Sequence, residues 1–123
     1  MKVRSSLFAL LFVLPTCIFA GIVGTYTIKG FDPDPAPGGH YTGTIAISQN
    51  GGVYTAQWLF ESGETAFGTA VRKDDTLSFV FNEDFGVDYG TQQYKIEGDT
   101  LHGPWVRFGE NRKGYERLTK IGS

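Results

Sequence analysis

The sequence predicts an all-β domain, a single antiparallel up-and-down barrel of about eight short strands. Three observations carry that prediction. Aromatic residues make up 15% of the chain and all 17 glycines lie after residue 20, so β-favouring rings are punctuated by turn formers. Short runs of alternating apolar and polar residues recur at intervals of roughly 12 residues, each closed by a cluster of Gly, Asn, Asp or Glu. No window carries apolar residues at spacings of three and four free of glycine, so no helix is expected.

The chain opens with residues 1–20, MKVRSSLFALLFVLPTCIFA. Lys2 and Arg4 form a cationic start, Leu7 to Leu14 is an almost unbroken apolar run, Pro15 breaks it, and Ala20 is small enough for a cleavage site. That is the anatomy of a secretory signal peptide, and the run falls well short of the roughly 20 residues a membrane span needs. The expected mature domain is therefore residues 21–123, secreted or periplasmic, with no membrane span. Leu14-Pro15-Thr16-Cys17 faintly resembles a bacterial lipobox, but Pro15 and Thr16 stand where that motif wants small residues. A lipid anchor through Cys17 is the lesser alternative. Cys17 is also the only cysteine, so the domain has no disulfide and must be stabilised by its core. Losing Lys2 and Arg4 makes the formal charge of −2 more negative by two. A mildly acidic domain without a Lys/Arg run argues against nucleic acid or an anionic membrane as its main partner.

Gly24 to Gly30 reads as the first strand, with Tyr26 and Ile28 on one face. Residues 31–39, FDPDPAPGG, cannot continue it, because three alternate prolines remove ladder donors and favour polyproline II geometry. Tyr41–Ser48 and Val53–Phe60 form a hairpin through Gln49-Asn50-Gly51-Gly52, since Asn-Gly is the strongest short-range hairpin signal. Turns at 61–64 and 72–75 lead into strands at Thr65–Val71 and Thr76–Asn82. Residues 83–88, EDFGVD, make a wider acidic loop before Tyr89–Glu97. Gly98-Asp99 turns into Thr100–Phe108, and residues 109–112 precede the last strand, Lys113–Lys120.

Asp75-Thr76-Leu77 recurs as Asp99-Thr100-Leu101, each time entering a strand from a polar turn. Two strand-and-turn units separate the copies, so those strands should run the same way in a meander. Each strand also has an apolar face, as with Tyr54, Ala56, Trp58 and Phe60, or Leu77, Phe79 and Phe81, or Leu101, Gly103 and Trp105. One-sided strands in this number close best into a barrel, which removes exposed edges and leaves an interior just filled or holding one small ligand.

The stretch from Tyr94 to Trp105, with Leu101-His102-Gly103-Pro104-Trp105, followed by Gly114 to Thr119, resembles the final hairpins of small secreted calycin-type barrels of the avidin and lipocalin-like group. Gly-x-Trp and Leu-x-Gly-x-Trp patterns recur in those meanders. Gly24-Thr25-Tyr26 stands where a lipocalin carries Gly-x-Trp, and the chain is shorter than a typical lipocalin. The resemblance implies a barrel and a binding role, and no residue of avidin's biotin site is carried over.

Catalysis finds little support. His40 and His102 are the only histidines, no cysteine follows residue 20, and Ser62 lacks a nucleophile elbow. Glu61 with Glu64, and Asp74 with Asp75, sit where turns want charge. Asp84-Phe85-Gly86 spells a kinase tripeptide without any kinase context. Asp32, Asp34, Glu83, Asp84 and Asp88 could offer oxygens to calcium, but the EF-hand spacing is absent. Two distant histidines are a thin zinc set. No catalytic residue, metal ligand or cofactor is therefore assigned.

Binding is the more economical function. Tyr41, Tyr54, Trp58, Trp105 and Arg107 are the candidate ligand-binding residues, with Phe60, Phe79 and Phe81 as further rings and Gln57, His40 and Arg107 as polar groups at a mouth. The expected partner is a small apolar or aromatic ligand, or another extracellular protein meeting the Phe31-tipped loop 31–39. The alternative is a small secreted hydrolase or lyase on a calycin-like barrel, which needs His40 or His102 beside a carboxylate in an open cleft. Alternation with Leu101 points His102 outward.

Overall fold

The computed structural model describes residues 21–33, 39–83, 88–111 and 113–123. Residues 1–20, read above as a signal peptide, residues 34–38 of the proline loop and residues 84–87 of the acidic loop, with Asp34 and Asp84, lie outside the described residues. Eight strands follow one another: β1 Gly24–Phe31, β2 His40–Asn50, β3 Val53–Phe60, β4 Thr65–Lys73, β5 Thr76–Glu83, β6 Asp88–Glu97, β7 Thr100–Arg107 and β8 Gly114–Gly122. Each strand pairs antiparallel with the next, and β1 pairs with β8 to close the barrel. The up-and-down barrel is as predicted, with strand ends moved by at most two residues.

Turn chemistry sets the register at one end. Gly51 (φ 63°) and Asp74 (φ 55°) take left-handed conformations in the β2–β3 and β4–β5 turns, which matches the right-handed twist of the flanking strands. The repeated Asp-Thr-Leu has a shared structural role. Asp75 O accepts from Ile96 N at 2.7 Å and Asp99 O accepts from Lys120 N at 3.0 Å. Each aspartate thus ties its turn to the strand that follows its own hairpin partner. Leu77 and Leu101 are fully buried just beyond, on parallel-running β5 and β7.

Pro104 interrupts the β6–β7 ladder, whose pairing runs Gln92↔Trp105 and resumes at Lys95↔His102. A proline cannot donate to a ladder and normally sits at a sheet edge. Here the buried Gln92 repairs the gap: its Nε2 donates to Gly103 O and Pro104 O, both at 3.0 Å.

The interior is filled at one end only. Around the short turns, Ile47, Tyr54, Leu77, Leu101 and Leu118 pack together with Ile22 and Tyr26. Ile22, ahead of β1, is held there by a 2.7 Å hydrogen bond from Tyr26 Oη to its carbonyl. The other end, where the wider loops connect the strands, is hollow.

Candidate functional site

The hollow end holds a cavity of about 450 Å³. Its walls come from the C-terminal ends of the odd strands and the N-terminal ends of the even ones. Tyr41, Trp58, Phe60, Phe81 and Trp105 supply rings, and Glu116, Gln92 and Arg107 supply polar groups.

The cavity exists because most of these rings lie flat against glycine. Gly30 pairs with Tyr41, Phe81 with Gly90 and Trp105 with Gly114 across adjacent strands. A Cβ on Gly30 would stand 2.1 Å from Tyr41 Cζ, on Gly90 2.5 Å from Phe81 Cζ, and on Gly114 2.2 Å from Trp105 Cζ2. Rings that cover bare backbone hug the wall, so the axis of the barrel stays open. Small side chains extend the effect, with Ala66 opposite Trp58 and Gly68 under its six-membered ring.

Glu116 is the polar centre of the cavity. It projects inward from β8 between Gly114 and Leu118, and it is 4% exposed. Tyr41 Oη donates to Oε2 at 2.7 Å, Tyr94 Oη to Oε1 at 2.6 Å, and Trp58 Nε1 to Oε1 at 3.2 Å. Donors on β2, β3 and β6 thus converge on β8 across the lumen. Burial raises the Glu116 carboxyl above its usual range, and the three donors oppose that rise. Burial, then the Glu116 charge, pushes both Tyr41 and Tyr94 above the ordinary phenol range, so both remain donors.

Arg107 closes one side of the mouth. Its Nε donates to Glu83 Oε1 at 2.8 Å and its Nη1 to Asp32 Oδ2 at 3.3 Å, while its guanidinium lies 4.9 Å from the Trp105 ring centre. Partial burial would lower the Arg107 pKa, but the bonds and charges of Glu83 and Asp32 outweigh it and raise it. Trp105 Nε1 is the one buried side-chain nitrogen without a hydrogen-bond partner among the described residues.

Four of the five residues singled out from sequence, Tyr41, Trp58, Trp105 and Arg107, line this one cavity. Tyr54 does not, because it starts β3 and so falls in the packed end. Gln57 is also corrected: it alternates with Ala56 and Trp58 and faces solvent on the outer wall. His40 stands at the rim, its ring 5.2 Å from that of Phe31, which is itself 39% exposed. His102 lies on the outer wall, with Nε2 2.7 Å from Glu97 Oε1 and Nδ1 2.6 Å from Tyr115 Oη. It has a carboxylate partner, but outside the cavity.

Sequence reasoning missed Glu116 and Gln92. Their signal was a polar residue on an otherwise inward face, Gly114-Glu116-Leu118 on β8 and Gly90-Gln92-Tyr94 on β6.

No family model matches the chain, and no curated protein matches it. Among solved structures it is similar to a de novo designed fluorescence-activating β-barrel, with a TM-score of 0.60 and 14% identity over 80% of this chain and 93% of that one. That likeness supports the fold, a closed eight-stranded antiparallel barrel, and no particular family.

Proposed function

We propose that this chain is an exported binding domain that takes one small molecule into the hollow end of its barrel and performs no chemistry on it. The observation that carries the proposal is the cavity itself. Its volume of about 450 Å³ falls within the roughly 300–1,000 Å³ of small-molecule sites, and it has their usual make-up of ring walls and a few convergent polar groups. Tyr41, Trp58, Trp105 and Arg107 are the proposed contact residues. The designed barrel of similar fold is described as fluorescence-activating, which supports a ligand-holding role for such an architecture. Against a hydrolase or lyase, the one histidine bonded to a carboxylate, His102, stands on the outer wall.

A saturation titration of the domain with the neutral dye Nile red tests the reading. Emission should rise to a one-to-one plateau and Trp58 and Trp105 fluorescence should be quenched. A linear, non-saturating response with unchanged tryptophan emission would sink it. Export after Ala20 is part of the proposal and rests on the composition of residues 1–20. Intact mass of the exported protein should place Gly21 at the N-terminus, whereas an acylated Cys17 would put a lipid anchor in its place.

A further inference from the structure

We propose that the ligand of this cavity is an organic cation, a protonated amine carried on an apolar or aromatic body. The inference rests on the small-molecule reading above and names its chemical class. Three independent features of the cavity point the same way.

The first is its polar inventory. Gln92 is 2% exposed and lines the cavity, and its Nε2 is spent on Gly103 O and Pro104 O. Its amide oxygen has no hydrogen-bond partner among the described residues. Glu116 Oε2 accepts only from Tyr41, and a carboxylate oxygen can take two donors. Two acceptors thus face the cavity with capacity to spare. The side-chain donors that reach them, Tyr41, Tyr94, Trp58 and Gln92 Nε2, already serve Glu116 or backbone carbonyls, and Trp105 Nε1 is the one buried donor left without a partner among the described residues. A ligand that completes this set brings N–H donors to Glu116 and Gln92.

The second is charge. Asp32, Glu64, Glu83 and Glu116 line the cavity, and Asp88 and Glu110 line the vestibule beside it, against Arg107 as the lining residue of opposite sign. Arg107 is held by Asp32 and Glu83. A cleft lined by one sign and walled by apolar rings focuses the field on its contents and concentrates counter-ions of the opposite sign.

The third is the ring wall. Tyr41, Trp58, Phe60, Phe81 and Trp105 surround the space above Glu116, and aromatic faces attract organic cations most when water is excluded. The protein already uses this property, seating the Arg107 guanidinium over Trp105. An ammonium at Glu116 and Gln92 would place its apolar body among the remaining rings.

The test is calorimetric titration with three molecules of one shape: 2-naphthylmethylamine, 2-naphthylmethanol and 2-naphthoate. For the wild-type domain the amine should bind at least about tenfold more tightly than the alcohol, with the carboxylate weakest. Glu116→Gln should bring the ratio of amine to alcohol affinity to within about twofold of one, because the preference for the amine depends on the charge. The wild-type series stands without the variant if that variant does not fold. An alcohol or carboxylate that binds as well as the amine overturns the cation while leaving the small-molecule reading intact. Failure of all three to bind overturns both.

Discussion

Tyr94 Oη donates to Glu116 Oε1 at 2.6 Å in a place where Tyr94 is fully buried and Glu116 is 4% exposed. The bond joins β6 to β8 on the inner side of the intervening β7, and Trp58 Nε1 on β3 is shared between its two ends, 3.3 Å from Tyr94 Oη and 3.2 Å from Glu116 Oε1. It separates two regimes. On one side lie the apolar contacts of the packed end; on the other lies the open cavity. An unpaired buried carboxylate would be very costly, so the donors around Glu116 are as much a condition of folding as of binding.

Removing one of those donors should therefore be expensive. Tyr94→Phe keeps the ring, including its edge-on contact with Phe79 at 6.0 Å between centroids, and deletes only the hydroxyl. Hydrogen bonds to charged groups contribute about 1.5–3 kcal/mol, and that is the expected loss in urea denaturation at neutral pH. A loss below about 0.5 kcal/mol would show that Glu116 does not rely on Tyr94.

The raised pKa of Glu116 carries a sign for stability against pH. The folded protein holds this proton more tightly than the unfolded chain, whose carboxyl has its ordinary value near 4.5. The stabilisation is thus full below 4.5 and is lost as pH rises above it towards the folded pKa. Glu97 acts oppositely: the hydrogen bond from His102 lowers its pKa, so its contribution is lost as pH falls below 4.5. The two windows lie on either side of that value. Denaturation midpoints from pH 5 to 8 should fall with pH in the wild type and flatten in Glu116→Gln. An unchanged slope in the variant would assign the effect elsewhere.

The strand plan was legible in the sequence because period-two alternation and turn residues both fix register, and here they agree. Asp74-Asp75 and Asn50-Gly51-Gly52 end strands where the alternation also ends. The face of each strand could be read for the same reason, which is why Trp58 and Trp105 were found. Depth along the barrel could not be read from alternation. Tyr41 and Tyr54 face the same interior, yet one lines the cavity and the other the packed end. The information was in the loops instead: the connections 32–39, 61–64, 84–87 and 108–113 are longer than the turns at 51–52, 74–75 and 98–99, and the cavity opens on the side of the longer connections. Glu116 escaped because an apolar-face average dilutes a single charge between Gly114 and Leu118. The glycines opposite the rings escaped for a different reason, since pairing partners follow from closure of the barrel rather than from any one strand.

Those glycines make a sharp prediction. At Gly114 an added Cβ would meet Trp105 Cζ2 at 2.2 Å and Phe31 O at 2.5 Å. The second contact is backbone and cannot yield easily, so the ring must leave the wall. Gly114→Ala should cost about 1–3 kcal/mol, as overpacking does, and should displace Trp105 into the cavity. Dye binding should then fall in parallel with a change in tryptophan emission. A variant that keeps wild-type stability and binding would mean that the rings do not depend on glycine for their position.

The two tryptophans provide the last prediction, because they share a cavity and differ in one atom's surroundings. Trp58 Nε1 serves Glu116 and Tyr94, whereas Trp105 Nε1 is buried without a partner among the described residues. Changing either to Phe removes part of a buried ring, so both lose packing. The Trp58→Phe change also strips a donor from a buried carboxylate, while Trp105→Phe removes an unsatisfied N–H whose burial already costs roughly 1–3 kcal/mol. The packing loss at Trp105 is therefore partly offset and the loss at Trp58 is compounded. Denaturation should show Trp58→Phe to be the more destabilising by at least about 1–2 kcal/mol. Equal losses, or the reverse order, would mean that the indole nitrogens contribute nothing and that ring volume alone sets the stability of this end of the barrel.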